Sequence, residues 1–457
     1  MSKSLYNNKT PFGRVYLFFS SILEKVASRP TRHILTLFII SIICMEGVDS
    51  VRHVFRGFFT RLVKKSINAI YYACSYAKVD CVLFAKALVT MALSIIPKDL
   101  GSLPVFLCVD DTLIEKTGEK FEDVSILFDH AAHKGQNYVN GHCFVSLSLC
   151  IPIWNSNSKV AFLPVPLGCR MWAGGKKKDA PTKLGIAAGM IRDVMPSLSN
   201  QRNVIILCDS WYTKTELLSL TKEYGNLGLI GNVRIDTALY GPPPAPTGKR
   251  GRPRTRGEKL CLDDFELTDK RVGDYFVGHR KVVTNLLKGI VVEAFVTSTQ
   301  KEGGAMRLFI STVSATDLSM FCAWYEKPPI KQAGSNWFQY LPLMLYRVRW
   351  DGTEVGYYEQ KTFWGLRKYM LRSRTGIERL INLIIVSYSG MKLLPYYDCA
   401  FSTHRGSSPQ EFRSFIAQKI REQVFLTSYA ETVQVDIKSK VLDGWLKLNN
   451  LGDKVAA

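Results

Sequence analysis

The sequence lacks the paired cysteines and histidines of zinc proteins. Its 11 cysteines are scattered singly with no CxxC pair, and its 7 histidines form no HExxH motif. Most of the cysteines lie in apolar stretches such as IICM, FLCV and IILCD, which is typical of reduced cysteines in a protein core. We therefore expect neither a zinc site nor a disulfide framework.

A hydrophobic run long enough to cross a membrane is also lacking. The run LTLFIISIICM has 11 residues and is followed by Glu46 and Asp49, whereas a bilayer span needs about 20 apolar residues. The run begins too far from Met1 for a signal peptide and has no convincing cleavage site. We expect a buried helix here, and a cytoplasmic protein that does not bind membranes.

Negative charge is scarce relative to positive charge. Asp and Glu number 39 against 60 Lys and Arg, which gives a formal charge of +21 and a pI near 9.4. Such an excess favours a polyanionic partner, with nucleic acid as the first candidate. The chain is nevertheless 47% hydrophobic over 457 residues, so we expect two or three globular domains.

The first hundred residues have helical periodicity and basic patches. The stretch VRHVFRGFFTRLVKKSINAIYYA (51–73) intersperses Arg and Lys among apolar residues, as an amphipathic helix pair with one cationic face would. We predict a helical, basic DNA-binding region over residues 1–100. A merely solvated helix face would show the same pattern.

Two apolar runs further along the chain both end in aspartate. VFLCVD (105–110) and VIILCD (204–209) are continuous apolar runs, as expected for central strands covered on both faces. Helical patterns between and after them predict a mixed α/β fold over residues 101–234. Neighbouring strands that end in carboxylates bring them together at one sheet edge, so Asp209 can approach Asp110 or Asp111. A divalent cation would relieve the repulsion between such carboxylates.

Residues 235–345 interrupt this α/β pattern with short β-type runs, which predict a β-rich insertion. The insertion contains the basic loop GPPPAPTGKRGRPRTRGEKL (241–260). Its GRP core flanked by Arg250, Arg252 and Arg254 has the pattern of an AT-hook, which lays arginines into a narrow minor groove. The basic turn GGKKKDAPTK places Lys176, Lys177 and Lys178 ahead of a predicted helix, where they could follow phosphates. A solvated loop remains the alternative for both segments.

Helical periodicity returns at residues 362–397, and there Arg374 and Glu378 stand four residues apart and share a helix face. We assign residues 346–400 to the α/β core again and residues 401–457 to a C-terminal helical tail.

The order of Asp, Asp and a helical Glu after a β-rich insertion resembles the DDE transposases of bacterial insertion sequences. More narrowly, the chain resembles the cut-and-paste group, whose RNase H-like mixed sheet is split by such an insertion. In that family the first Asp usually precedes Ser or Thr, which favours Asp111 before Thr112, although Asp110 stays open. The resemblance implies that Asp111, Asp209 and Glu378 are the catalytic residues and the metal ligands.

The family's glutamate lies in a helix motif of Tyr, two residues, Arg, three residues, Glu, six residues and Lys. Arg374 and Glu378 match its centre, and Arg374 would contact DNA. Leu371 and Ile385 stand where Tyr and Lys are expected. Glu359 is the next candidate for the third carboxylate.

The resemblance implies a DNA transposase that binds the terminal inverted repeats of its element and catalyses DNA cleavage and strand transfer. Two Mg²⁺ ions would serve this chemistry, and Mn²⁺ would substitute for them. The DNA partners would be the double-stranded terminal repeats and the target DNA. A second copy of the chain would complete a homodimer in the DNA-bound complex. The protein would be associated with the bacterial nucleoid. Two alternatives stay open, namely a non-catalytic DNA-binding protein derived from a transposase and a metal-dependent nuclease without strand transfer.

Overall fold

The computed structural model describes residues 3–129, 137–174, 179–198, 202–245, 253–324, 338–432, 440–441 and 444–445. Within these ranges the chain is a mixed α/β protein in which helices pack on a mixed sheet, as predicted. This arrangement is compatible with the expected RNase H-like core.

Helices dominate the two ends of the described chain. Their bounds are α1 Pro11–Ile22, α2 Arg29–Cys44, α3 Val51–Val54, α4 Thr60–Leu62, α5 Ile67–Ser75, α6 Cys81–Ser94, α7 Lys183–Val194, α8 Thr215–Glu223, α9 Leu341–Leu345, α10 Val348–Trp350, α11 Gly356–Phe363, α12 Arg374–Tyr397 and α13 Pro409–Thr432. Two π-helical turns, Phe55–Phe59 and Asp351–Val355, connect α3 to α4 and α10 to α11.

The apolar run near the start of the chain forms the second half of α2. Every residue from Leu35 to Cys44 is buried, because α2 packs against α1, α5, α12 and α13. This confirms the predicted buried helix. Within the described ranges, no helix combines the length and the apolar character that crossing a bilayer requires.

The segment from α3 to α4 has one apolar and one basic face. Phe58, Phe59 and Leu62 are buried, and Phe55 is half-buried. The basic residues predicted to form a cationic face are exposed, namely Arg52, Arg56, Arg61, Lys64 and Lys65. The assignment of residues 1–100 to DNA binding stays a prediction.

The described strands form one sheet. Their bounds are β1 Val105–Glu115, β2 Ser125–Phe128, β3 Tyr138–Trp154, β4 Val160–Trp172, β5 Val204–Cys208, β6 Leu227–Val233, β7 Leu239–Tyr240, β8 Lys259–Leu260, β9 Phe276–Thr284, β10 Val291–Ser298 and β11 Met306–Ser311. The order across the sheet is β2-β3-β1-β5-β6-β11-β10-β9-β7-β8, and β4 pairs with β3.

The central strands β1, β5 and β6 are parallel, whereas β3 is antiparallel to both β1 and β4. Strand β5 and the first five residues of β1 are fully buried. Both faces are therefore covered at the centre of the sheet, as the continuous apolar runs predict.

The β-rich segment continues the core sheet. Strands β9, β10 and β11 form an antiparallel meander, and β11 pairs with β6. The segment therefore extends the same hydrogen-bonded ladder. The domain boundaries, at residues 100, 234, 345 and 400, stay predictions.

The helix expected over residues 362–397 is broken, which corrects the sequence-based bounds. Helix α11 ends at Phe363, and Gly365 has φ +71°, a conformation that favours glycine. A Cβ at Gly365 would lie 2.2 Å from the carbonyl oxygen of Val48. Helix α12 then begins at Arg374, where the Ser373 hydroxyl caps it by accepting the backbone N–H of Gly376.

Arg413 of α13 connects the helical ends of the chain. Its guanidinium is buried and donates hydrogen bonds to backbone carbonyls at the end of α2 and of α11. The acceptors are Ile42 (3.0 Å), Ile43 (3.2 Å), Phe363 (2.5 Å) and Met45. One side chain thus satisfies carbonyls that helix ends leave without an intrahelical partner.

Candidate active site at the sheet edge

Two aspartates follow the point where the parallel pairing of β1 and β5 ends, although β1 itself continues to Glu115. The last paired residues of β1 and β5 are Val109 and Cys208, so Asp110 and Asp209 follow in the same register. Asp209 is held by its own turn, since its Oδ1 accepts the backbone N–H groups of Trp211 (3.0 Å) and Tyr212 (3.2 Å). The predicted meeting of carboxylates from these two strands therefore involves Asp110.

Asp110 is a buried carboxylate whose cationic partner is Arg349. The guanidinium Nη1 lies 2.7 Å from Asp110 Oδ2, and Asp110 Oδ1 accepts the backbone N–H of Asp111 at 2.8 Å. Burial raises the pKa of Asp110 to about 6; Arg349 opposes this rise, and the nearby charge of Asp209 adds to it. Both neighbours act through charge, so Asp110, Arg349 and Asp209 form one electrostatic unit.

Asp111 has a different set of partners, because consecutive strand residues point to opposite faces of a sheet. Its Oδ2 accepts from Lys183 Nζ (2.8 Å) and from the Cys143 thiol (3.0 Å). Its Oδ1 accepts from the Tyr212 hydroxyl at 2.9 Å. Both oxygens of Asp111 are thus occupied on the face that α7 covers, away from Arg349.

The predicted third carboxylate, Glu378, binds the edge of β4. Its Oε1 accepts the backbone N–H of Met171 at 2.7 Å, and Arg374 Nη2 lies 3.5 Å away. Met171 pairs with Phe144 of β3, and Phe144 pairs with Thr112 of β1, so Glu378 lies beyond two strands from the aspartates. Burial raises its pKa, while the Met171 N–H and Arg374 oppose the rise.

The three predicted ligands therefore do not converge. Among the described residues, no group of three or more His, Cys, Asp and Glu side chains lies close enough to hold a metal ion. Asp111 faces one side of the sheet, Asp209 lies beside Asp110, and Glu378 anchors α12 to β4. These three residues stay a prediction from the resemblance.

Glu354 is a further carboxylate that lies beside Arg349. Arg349 Nη2 lies 4.0 Å from Glu354 Oε1. The guanidinium thus stands between Asp110, from the sheet, and Glu354, from the helix that follows the β-rich segment. Glu354 is partly exposed, with 45% of its side-chain surface accessible, and so is open to a ligand that enters from solvent.

The sequence contains a second match to the helix motif, which the sequence analysis missed. Tyr346 and Arg349 have the expected spacing, as do Glu354 and Lys361, but one residue too many separates Arg349 from Glu354. The structure has a π-helical turn at Asp351–Val355, and a π turn accommodates one more residue than an α turn. Arg349 and Glu354 therefore share a helix face although they stand five residues apart.

Lys361, at the end of this second match, lies in the same electrostatic environment. Burial lowers its pKa, with Arg367 adding to the effect, whereas nearby carboxylates that include Glu354 and Asp110 oppose it. The motif thus brings one Arg, one Glu and one Lys to the side of Asp110. The sequence signal that could have identified this second match is the pair of spacings Tyr-x₂-Arg and Glu-x₆-Lys on either side of a one-residue insertion.

Glu359, the other candidate for the third carboxylate, is bound elsewhere. It accepts a hydrogen bond from the Tyr388 hydroxyl of α12, and Lys392 Nζ lies 3.2 Å from that hydroxyl. Glu359 therefore connects α11 to α12 instead of pointing at Asp110.

The residues predicted to bind DNA are described only in part. Arg250, Arg252, Lys176, Lys177 and Lys178 lie outside the described residues, and Arg254 is exposed. Arg374 is bound to Asp123 (2.7 Å) and to the backbone carbonyl of Met171. These contacts give Arg374 a structural role, and its predicted contact with DNA is untested.

The strand order and the paired aspartates are compatible with a metal-dependent nuclease. The sequence profile of one family, described as DDE superfamily endonuclease, matches residues 28–271, which is more than half of the chain. The chain therefore belongs to the DDE superfamily endonucleases, and the predicted resemblance to a DDE transposase-type protein is confirmed. The matched residues include Asp110 and Asp209 and end before Arg349. No curated protein matches the chain.

Proposed function

We propose that the protein is a DNA transposase that binds the terminal inverted repeats of its own element and catalyses metal-dependent DNA cleavage and strand transfer. Family membership supports a transposase-like nuclease. The observation that carries the proposal further is the placement of Asp110 and Asp209 on adjacent parallel strands, beside Arg349 and Glu354.

The residues present suit a hard divalent cation. Nucleases of this family generally use divalent metal ions, and Mg²⁺ prefers carboxylate oxygens to sulfur or nitrogen. Two neighbouring carboxylates that repel each other are stabilised by a positive charge beside them, and Arg349 supplies one to Asp110. Asp110, Asp209 and Glu354 are the carboxylates that would hold Mg²⁺, with Mn²⁺ as a substitute, although the described residues do not bring three such ligands close enough together to hold an ion. When bound, the metal supplies activation of the attacking oxygen and stabilisation of the leaving oxygen.

The protein's own groups orient this site. Arg349 of α10 holds the Asp110 carboxylate in an ion pair. The backbone N–H groups of Trp211 and Tyr212 hold the Asp209 carboxylate. Ser146 of β3 supports Asp110 from the neighbouring strand, since its hydroxyl donates to the Asp110 backbone carbonyl at 3.4 Å. Arg349 and Lys361 would attract the phosphate of an entering strand.

Positive charge supports a double-stranded DNA substrate. The chain carries a formal charge of +21, and the basic residues Arg52, Arg56, Arg61, Lys64 and Lys65 are exposed. Lysine and arginine contacts to phosphate supply most sequence-independent DNA affinity. The joining of two element ends to one target favours a homodimer in the DNA-bound complex, and such a protein would work close to the bacterial nucleoid.

The direct test is a cleavage and joining reaction. The full-length protein, Mg²⁺ and labelled DNA that flanks its own gene are incubated with a supercoiled target plasmid. Cuts at the inverted repeats together with joined products would support the proposal. Cuts without joined products would indicate a nuclease without strand transfer, and binding without cuts would indicate a non-catalytic relative.

A further inference from the structure

Arg349 is a cation that the carboxylates of the candidate site share. Its Nη1 lies 2.7 Å from Asp110 Oδ2, and its Nη2 lies 4.0 Å from Glu354 Oε1. Burial acts to lower the pKa of Arg349, but nearby negative charges outweigh it and raise the pKa above its ordinary value. The largest of these charges is that of Asp110, followed by Tyr346 and Asp209. One guanidinium therefore already neutralises part of the charge of the carboxylates proposed to hold Mg²⁺.

The guanidinium is held in place by its surroundings. The side chains of Arg349 and Asp110 keep only 13% and 14% of their surface exposed, so water screens their attraction weakly. Arg349 Nη1 also donates to the Thr353 hydroxyl at 3.3 Å, and that hydroxyl donates to the Arg349 backbone carbonyl at 3.0 Å. A Cβ at Gly352 would lie 2.6 Å from Cys108 Sγ, so the π turn packs closely on β1. The ion pair is thus part of a packed region of the protein.

A divalent cation and this guanidinium would compete for the same carboxylate. Asp110 Oδ1 accepts the backbone N–H of Asp111 at 2.8 Å, and Oδ2 accepts from Arg349, so both oxygens already have a donor. A divalent cation beside the guanidinium would meet a like charge in a weakly screened place. If the guanidinium leaves Asp110 in only a fraction of the molecules, the apparent metal affinity is reduced by that fraction.

We infer that Arg349 is an internal counter-cation that opposes metal binding until DNA enters, and that a DNA phosphate then draws it away from Asp110. The inference rests on the proposed function, because the phosphate belongs to the reacting strand. A guanidinium binds phosphate through two parallel hydrogen bonds, so Arg349 exchanges one anionic partner for another. Asp110 and Glu354 then become available to Mg²⁺. Metal affinity and DNA affinity are therefore coupled through one side chain.

The test measures Mn²⁺ binding to the full-length chain without DNA, from the loss of the electron paramagnetic resonance signal of the free ion. Arg349→Gln removes the guanidinium. Arg349→Lys keeps a positive charge but loses the planar group that can contact two carboxylates. The matched control is Arg347→Gln, which removes an exposed arginine two residues away. The double variant Asp110→Asn with Arg349→Gln shows whether the ion binds at this site.

Arg349→Gln should bind Mn²⁺ about 5- to 150-fold more tightly than the unaltered chain does, and Arg349→Lys should lie between the two. Arg347→Gln should bind Mn²⁺ like the unaltered chain, and addition of Asp110→Asn to Arg349→Gln should abolish the gain. A short DNA duplex should raise the Mn²⁺ affinity of the unaltered chain, after correction for ions bound by the duplex alone. The same duplex should raise the affinity of Arg349→Gln much less.

Equal Mn²⁺ affinities for Arg349→Gln and the unaltered chain, or an equal gain in Arg347→Gln, would overturn the inference. Neither result would affect the proposed function, which the cleavage and joining reaction tests separately. If circular dichroism shows that Arg349→Gln does not fold, Arg349→Lys decides, and an affinity equal to that of the unaltered chain would overturn the inference. Absence of Mn²⁺ binding by the unaltered chain with DNA, together with absence of cleavage, would overturn both.

Discussion

Asp110 and Asp111 are adjacent on β1, yet their carboxylates bind different cations on opposite faces of the sheet. Asp110 lies 2.7 Å from Arg349, and Asp111 lies 2.8 Å from Lys183. The face that carries Asp110 also receives Arg349 and Glu354, whereas the face that carries Asp111 is covered by α7. A pair that looks equivalent in the sequence is therefore divided by the fold into a candidate ligand and a candidate anchor.

The first prediction separates these two aspartates. Asp110→Asn should lower DNA cleavage at least about 100-fold, because the amide keeps the shape of the side chain but loses the charge that would hold Mg²⁺. Asp111→Asn should lower cleavage less and should destabilise the fold by about 1–3 kcal/mol, because Lys183 loses its counter-charge. Gel assays of cleavage and urea unfolding of both variants provide the measurement. An exchange of the two results would return Asp111 to the metal site.

The second prediction concerns the third carboxylate. Glu354→Gln should lower cleavage at least about 100-fold, because the charge that would hold Mg²⁺ is lost. Stability should stay normal, because Glu354 is partly exposed and its ion pair with Arg349 is a distant 4.0 Å. Glu378→Gln should keep most of the cleavage, because the amide oxygen can still accept the Met171 N–H. Glu359→Gln is the matched control on α11. Normal cleavage by Glu354→Gln with inactive Glu378→Gln would show that the resemblance placed the glutamate correctly.

The third prediction concerns Arg413. Arg413→Met keeps an apolar stem of similar length but leaves the backbone carbonyls of Ile42, Ile43, Met45 and Phe363 without this donor. We expect a loss of about 3 kcal/mol in the free energy of unfolding, measured by urea denaturation. Arg421→Met is the control, because Arg421 also donates to α2 but lies closer to solvent. A smaller loss in Arg413→Met than in the control would contradict the proposed connection between the helical ends.

The fourth prediction concerns pH and the buried residue His142. Its Nε2 lies 3.0 Å from the Glu122 carbonyl oxygen and its Nδ1 lies 2.6 Å from the Tyr369 hydroxyl. A carbonyl only accepts, so Nε2 carries the proton and the neutral ring accepts from Tyr369. Burial lowers the pKa of His142 below its ordinary 6.5, although the Glu122 carbonyl opposes this effect.

Because the folded pKa is lowered, the unfolded chain binds more protons below pH about 6.5. The stability contributed by neutral His142 is fully present above that pH and is lost as the pH falls towards the folded pKa. Urea midpoints at pH 7.5 and pH 5 should show this loss in the unaltered chain. His142→Gln should show a smaller difference between the two pH values, and an equal difference would refute the assignment.

The fifth prediction concerns the basic loop. Replacement of Arg250, Arg252 and Arg254 by Ala should weaken DNA binding and should lower the slope of log affinity against log salt by roughly one unit per lost phosphate contact. Titration of a labelled duplex at several salt concentrations measures both quantities. The same replacement of Lys176, Lys177 and Lys178 tests the second basic segment. Unchanged affinity and slope would make either segment a solvated loop.

Much of the scaffold follows from local sequence. The runs before Asp110 and Asp209 are apolar at every position, so they predict central strands that end in carboxylates. The apolar run that ends at Cys44 is too short for a membrane and predicts a buried helix. The alternation of strand and helix predicts the mixed α/β class. These features depend on side chains close together in the chain, and the composition adds the positive charge.

The contacts that distinguish one candidate site residue from another depend on the tertiary structure. Strand alternation requires Asp110 and Asp111 to face opposite ways, but only the tertiary structure shows that Arg349 packs beside Asp110 and Lys183 beside Asp111. The spacing from Arg349 to Glu354 does not fit an α-helix, and a π turn cannot be recognised from α-helical periodicity. Arg374 and Glu378 match the motif in spacing, yet α12 packs along β4, which is separated from the aspartate-bearing strand β1 by β3. Sequence spacing determines which residues share a helix face, and only the packing of that helix determines what the face meets.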